Sequence, residues 1–207
     1  HHIDLANDTE SHLRVIPKDA PWVVYLAGYK FAKPGQGDRD YATKCDLYGM
    51  VIPSLVFTYH QAGANIVVMG SYNGLEKTSI HSPARDDAPL RPSPGNYYGK
   101  SIMDKESVIH AILEGREHKN PSRVVILRGG YYTDASTYGG LEPEILRIMK
   151  GQEVDLTEKA YFNLISNRDA AIATLLAPGL ATGTVSTFNL SGPMVDVSEA
   201  AKSIAAE

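Results

Sequence analysis

Through residue 130 of this 207-residue chain, short apolar runs alternate with longer stretches whose apolar residues recur at helical spacing. Trp22-Val-Val-Tyr-Leu26 follows a proline and precedes Ala27-Gly28, the pattern of a strand buried on both faces. After a loop rich in Gly, Pro, Lys and Asp, the segment 40–61 carries Leu47, Met50, Val51, Leu55 and Val56 on a helical period, with Pro53 predicted to kink it. Asn65-Ile-Val-Val-Met69 is a second buried strand, ending in Gly70-Ser71. Residues 82–95 are polar and proline-rich, a surface loop. The segment 96–118 predicts the strongest helix, with Ile102, Ile109, Ile112 and Leu113 on one side. Ser122-Arg-Val-Val-Ile-Leu127 is a third buried strand, closed by Arg128-Gly129-Gly130. Strand, helix, strand, helix, strand in this rhythm predicts an α/β fold with a parallel sheet and crossover helices.

Beyond residue 130 the texture changes. A Gly/Tyr/Thr loop leads to a short helix over 141–149, a strand over 161–165 and a helix over 168–176, with Ser166 or Asn167 placed to cap it. Residues 185–190 then alternate and end at Ser191-Gly192-Pro193. The expected organisation is an α/β region over 1–130 and a small mixed lobe over 131–207. Residues 198–207 predict a capped amphipathic helix. The chain starts at His1-His2 without methionine and stops without a C-cap glycine, so both ends are expected to be cut.

Composition narrows the function classes. With 43% apolar and 21% charged residues the chain has the mixture of an ordinary globular protein. A net charge of −4 with Lys and Arg scattered gives no footprint for nucleic acid. The single cysteine, Cys45, cannot form an internal disulfide, and no run reaches the ~20 apolar residues that span a bilayer. No membrane association and a cytoplasmic location are the expectations. The seven histidines show no metal-ligand spacing, so no metal is expected; His60, His81, His110 and His118 read as surface or loop residues.

In parallel sheets of this kind ligands sit at the carboxyl ends of the strands. That puts Gly28, Ser71 and Gly129 on one rim, with Tyr98 at the start of the helix leading into the third strand. A serine and a tyrosine there can flank a substrate hydroxyl or carbonyl, the tyrosine moving the proton and the serine holding the oxygen. Taken on the residues alone, a strand-end serine and a half-buried tyrosine stand as the plainer alternative. Tyr131, Tyr132 and Tyr138 lie in a Gly/Thr loop, placed either to stack on a base or sugar or simply to pack.

The ordered series Asp4-Leu5, Leu26-Ala27-Gly28, Gly70-Ser71, Tyr98-Gly99-Lys100-Ser101, Ile126-Leu127-Arg128 and Asn189-Leu190-Ser191-Gly192-Pro193 resembles the extended short-chain dehydrogenase/reductase family of nucleotide-sugar epimerases and dehydratases. The resemblance implies a Rossmann-like doubly wound sheet, incomplete at its N-terminal side, with a C-terminal substrate lobe. It implies NAD or NADP as cofactor and a nucleotide-sugar or related small molecule as substrate. By it, Ser71 and Tyr98 correspond to the catalytic serine and tyrosine, and Asp4, Leu5, Ala27, Gly28 and Gly129 to cofactor contacts. Tyr131 and Tyr132 fall on the substrate side, and Asp46 stands where the family has asparagine.

Two departures matter. The family's glycine-rich phosphate cradle precedes the segment resembling Asp4, where this chain has no residues, and Gly35-Gln36-Gly37 lies in the wrong context to replace it. The residue four after the tyrosine, lysine in the family, is Ile102. A tyrosine without a neighbouring ammonium has a pKa of about 10 and is about one part in a thousand ionised at neutral pH. Lys105, one turn further along the helix, is the candidate substitute cation. Two other readings stand beside the enzyme: a catalytically silent relative acting as a structural or regulatory subunit, and a nucleotide or sugar binding module without redox chemistry. In the related fold the strand at Trp22 pairs with the absent portion, so a homodimer mate or partner chain is expected to cover that edge.

Overall fold

Strands β1 (Trp22–Tyr25), β2 (Asn65–Ser71), β3 (Val124–Gly129) and β6 (Val185–Asn189) form one sheet in the order β1-β2-β3-β6. The computed structural model describes residues 17–26, 37–75, 82–114, 122–133, 147, 150–152 and 161–206. Pairing is parallel between β1 and β2 and between β3 and β6, and Arg128 stands opposite Asn189 at the end of the latter. Crossovers explain the parallel sense. Helix α1 (Asp38–Gln61) joins β1 to β2, and α2 (Tyr97–Leu113) joins β2 to β3.

The core lies between these two helices and the sheet. Ile52, Leu55, Val56 and Tyr59 from α1 meet Ile109 and Leu113 from α2 over Val23, Tyr25, Ile66, Val68, Val124 and Ile126. Each fully buried side chain of this kind contributes roughly 1.5–3 kcal/mol relative to exposure. The helix runs from Asp38 to Gln61 with Pro53 inside it. Against expectation, β1 is not buried on both faces: Val23 and Tyr25 enter the core while Trp22 and Val24 are 46% and 42% exposed. The reason is its place, since among the described residues it is the last strand of the sheet.

The 82–96 segment is less of a free loop than its polarity suggests. Leu90 bridges to Leu75, the Arg91 N–H donates to the Gly74 carbonyl at 2.6 Å, and the end of the segment turns directly into α2. Nor is His60 on the surface. It is buried, and its Nδ1 is hydrogen-bonded to the Ser122 hydroxyl at the opposite end of the sheet from Ser71.

Two compact units can be distinguished among the described residues. The first takes the chain up to Arg128 and returns for Thr174–Asn189; the second holds Gly129–Ala173 and the chain from Leu190 onward. In the second, β4 (Tyr131–Thr133) pairs in parallel with β5 (Tyr161–Ser166), which pairs antiparallel with β7 (Met194–Asp196). Helix α3 (Asn167–Leu180) starts where Ser166 Oγ accepts from the Asp169 N–H at 3.0 Å, which makes Ser166 the cap. Its buried positions are Ala170, Thr174, Ala177 and Pro178, while Ile172, Leu175, Leu176 and Leu180 are exposed. Helix α4 (Val197–Ala205) is capped by Asp196, whose carboxylate accepts from the Ser198 and Glu199 N–H groups at 2.9 and 3.2 Å. The helix expected over 141–149 lies outside the described residues apart from Arg147.

Candidate active site

Strand β2 ends in Ser71, so the direction of the chain alone brings this hydroxyl to the carboxyl rim of the sheet. Tyr98 arrives there by local chemistry. Ser93-Pro94-Gly95-Asn96 closes a turn in which the Asn96 N–H donates to the Ser93 carbonyl at 3.0 Å and Gly95 takes a φ of +81°, a conformation costly for any residue with a Cβ. Asn96 Oδ1 then accepts from the Gly99 N–H at 2.8 Å, fixing the start of α2 one residue before Tyr97. The Tyr98 phenol is hydrogen-bonded to Ser71. The two residues assigned to chemistry from sequence are thus in contact.

The surroundings keep the phenol protonated. Burial raises its pKa above 10; the Ser71 hydrogen bond works the other way but less, and the nearby Cys45 thiol adds to the rise. Cys45 comes from α1, is buried, and is hydrogen-bonded to Tyr41; burial raises its own pKa as well. Ile102 is buried on α2 below Tyr98, an apolar neighbour where an ammonium would favour the tyrosinate.

Lys105 is buried too, at 2% exposure, with its Nζ donating to the Met69 carbonyl of β2 at 3.0 Å. Burial lowers its pKa to about 8, against a smaller opposing pull from Glu106. Lys100, by contrast, faces solvent and pairs with Asp104. Between about pH 8 and 10.5 the unfolded chain keeps a proton that native Lys105 has released, so this group adds stability as the pH rises through that window. Replacing Lys105 with methionine is therefore expected to remove an upward slope in unfolding free energy between those pH values, measured by urea denaturation. An unchanged slope would contradict the burial of its charge.

Beneath the pair sits a second charged group that the sequence reading did not single out. Glu106 and Arg128 form a buried ion pair, Nη2 to Oε2 at 2.8 Å and Nε to Oε2 at 3.1 Å. Gly70 makes room for it, since a Cβ there would stand 2.9 Å from Glu106 Oε1 and 3.3 Å from Arg128 Cγ. Arg128 Nη1 also donates to the Ala88 carbonyl at 2.9 Å. Asn189, across the β3–β6 register, donates from Nδ2 to the Arg85 carbonyl at 2.9 Å and from its N–H to Asp86 Oδ1 at 2.6 Å. The ends of two strands thus hold the segment that leads into Tyr98. A charge on the apolar stripe of α2, at Lys105 and Glu106 between Ile102 and Ile109, was the available signal.

Gly129 closes β3, and a Cβ on it would lie 1.8 Å from the Tyr132 hydroxyl oxygen. Tyr132 therefore rests against Gly129. Tyr131 lies beside it in β4. Asp4, Leu5, Ala27 and Gly28, together with Tyr138, lie outside the described residues. Asp46 is exposed on α1. Among the described residues no group of three or more His, Cys, Asp or Glu side chains could hold a metal ion, and no helix is long and apolar enough to cross a membrane.

Solved structures share this arrangement of strands and helices. MoeE5 in complex with UDP-glucose and NAD matches with a TM-score of 0.77 at 18% identity, over 100% of this chain and 67% of that one. The UDP-glucuronic acid 4-epimerase of Bacillus cereus in complex with NAD matches at 0.71 and 16% identity, over 99% of this chain and 65% of its own. The dTDP-glucose 4,6-dehydratase of Bacillus anthracis in complex with NAD matches at 0.70 and 16%, over 98% and 61%. The chain has the fold of the NAD-dependent nucleotide-sugar epimerases and dehydratases. It spans between 61% and 67% of the length of these three chains. No protein-family model and no curated protein sequence matches it. Within the epimerase and dehydratase fold, the Ser71–Tyr98 pair stands at the strand ends where ligands of parallel α/β sheets bind.

Proposed function

We propose that this chain belongs to a nicotinamide-dependent enzyme of the epimerase and dehydratase kind, acting on a nucleotide-sugar or a related hydroxylated small molecule. The observation that carries the reading is the Ser71–Tyr98 hydrogen bond at the carboxyl end of β2 in a fold shared with such enzymes. Ser71 orients a substrate hydroxyl or carbonyl oxygen, and Tyr98 passes a proton to or from it. Taking up and returning hydride is the chemistry NAD or NADP supplies when bound. The paired hydroxyls fit that chemistry, because they hold an oxygen on the carbon that exchanges hydride. Position 102 fits it less well, since a buried isoleucine gives a cofactor ribose no donor. The exposed face of β1 fits a covering chain, from the same polypeptide or from a partner.

Ile102 and the protonated phenol favour a second reading, a silent relative that keeps the fold for a structural or regulatory role. Substitutions separate the two when turnover is followed with a nucleotide-sugar and NAD or NADP. Under the first reading Tyr98→Phe lowers turnover by about 10²–10⁴ with the fold intact, and Ile102→Lys raises it. Turnover that is absent in the natural protein and appears only with Ile102→Lys would select the silent relative.

A further inference from the structure

Helix α2 grips the end of β2 at two points two turns apart. Tyr98 is hydrogen-bonded to Ser71, and Lys105, seven residues on and so on the same helix face, donates to the Met69 carbonyl at 3.0 Å. Only Gly70 separates the two gripped residues, and Gly70 is itself wedged against Glu106, Arg128 and Ile126. An ammonium is a costly way to satisfy one carbonyl. Lys105 carries three donors and, among the described residues, its one hydrogen bond is to Met69, while the neighbouring carboxylate of Glu106 is committed to Arg128. A buried charge in this state lowers stability at neutral pH, where methionine or leucine would fill the volume without that cost.

We propose that Lys105 is a positioning residue for the Ser71–Tyr98 pair, setting through the Met69 carbonyl where the Ser71 hydroxyl stands against the phenol. It acts through the strand rather than by touching substrate. This distinguishes it from a cation that would stabilise the tyrosinate directly, because the Lys105 ammonium donates to the Met69 carbonyl. Because burial brings the Lys105 pKa down to about 8, the grip changes character close to neutral pH, as a charged donor gives way to a neutral amine. Of the charged and titratable groups nearby, Glu106 acts on Lys105 and is itself bound to Arg128, while the Cys45 thiol acts on Tyr98. Glu106 pulls the Lys105 pKa upward, and the thiol and the Tyr98 phenol are both pushed above their ordinary values of 9.0 and 10.0, away from the lysine's range.

The inference rests on reading Ser71 and Tyr98 as a working pair, but its test needs no nicotinamide and so can fail separately from the proposed activity. Carbon-13 resonances of the Tyr98 phenol carbon and the Lys105 ε-carbon are followed by NMR from pH 6.5 to 9.5, with Tyr98 assigned through Tyr98→Phe. The expected result is a step in the Tyr98 shift with the same midpoint as the Lys105 titration, near pH 8, that disappears in Lys105→Met. A lysine that merely fills the core would titrate while Tyr98 stays flat, and a Tyr98 step surviving in Lys105→Met would also overturn the proposal. Should Lys105→Met fail to fold, the wild-type comparison of the two midpoints decides alone.

Discussion

Replacing Gly192 with alanine is expected to cost the second unit about 3 kcal/mol or more and to detach β5 from the 191–193 segment. The cause is backbone against backbone. A Cβ on Gly192 would fall 1.6 Å from the Leu164 carbonyl oxygen and 2.6 Å from its carbon, inside any van der Waals contact. No side chain can swing aside to relieve this, so the strand itself must shift. That shift breaks the Leu164 N–H to Pro193 carbonyl bond at 3.1 Å and pulls on the pairing of Phe162 with Val195 and Asn163 with Met194. Clashes and lost backbone hydrogen bonds of this kind account for the upper end of single-substitution effects. Hydrogen exchange would show the damage as lost protection of the Leu164 amide and its β5 neighbours. Gly129→Ala makes a useful contrast, because its 1.8 Å conflict is with the tip of the Tyr132 side chain, which can rotate away at smaller cost.

Glu106→Leu carries the other large effect, an expected loss of about 3–5 kcal/mol. Both partners of the ion pair are buried, with side-chain exposures of 8% for Arg128 and 4% for Glu106, so removing the carboxylate strands a guanidinium that still needs charge compensation. The residual bonds from Nη1 to the carbonyls of Ala88 and Asp86 satisfy donors but not charge. Replacing both residues together, Glu106→Leu with Arg128→Met, is expected to recover most of the loss, since the cost lies in the unpaired ion rather than in the absent bridge. Urea denaturation of the two single variants and the double variant measures this coupling. A double variant as unstable as the sum of the singles would contradict the account of the pair.

Much of the first unit was legible in the sequence because its signals are local. Apolar runs of four to seven residues bounded by Gly and Pro gave β2 and β3, and the helical period gave α1 and α2. Ser71 and Tyr98 could be placed on one rim because strand direction and the start of the 96–118 helix are local signals too. What the sequence left open depends on partners distant in the chain. The alternation at Val185–Asn189 marks a strand but does not say which sheet it joins, and its pairing with β3 rests on contacts 61 residues apart in register. His60 looks like a surface residue until Ser122 meets it across 62 residues. Strands β4 and β7 are three residues each, too short for any period to be read. Glu106 stands on the apolar stripe of α2, but the cation that accounts for its burial, Arg128, lies 22 residues further on. The polar 82–95 segment is the surface loop its composition predicts, but its anchoring could not be read locally, because Arg128 and Asn189 arrive from strands roughly 40 and 100 residues later.

Calorimetric titration of the protein with NAD and with NADP, each alone and with a nucleotide-sugar present, tests the central claim most directly. Saturable binding of one of the two is predicted, with a gain in unfolding free energy of about 2.7 kcal/mol once the cofactor stands at 100 times its Kd. No heat and no stabilisation with either cofactor, in a protein that unfolds cooperatively, would contradict the nicotinamide-dependent reading.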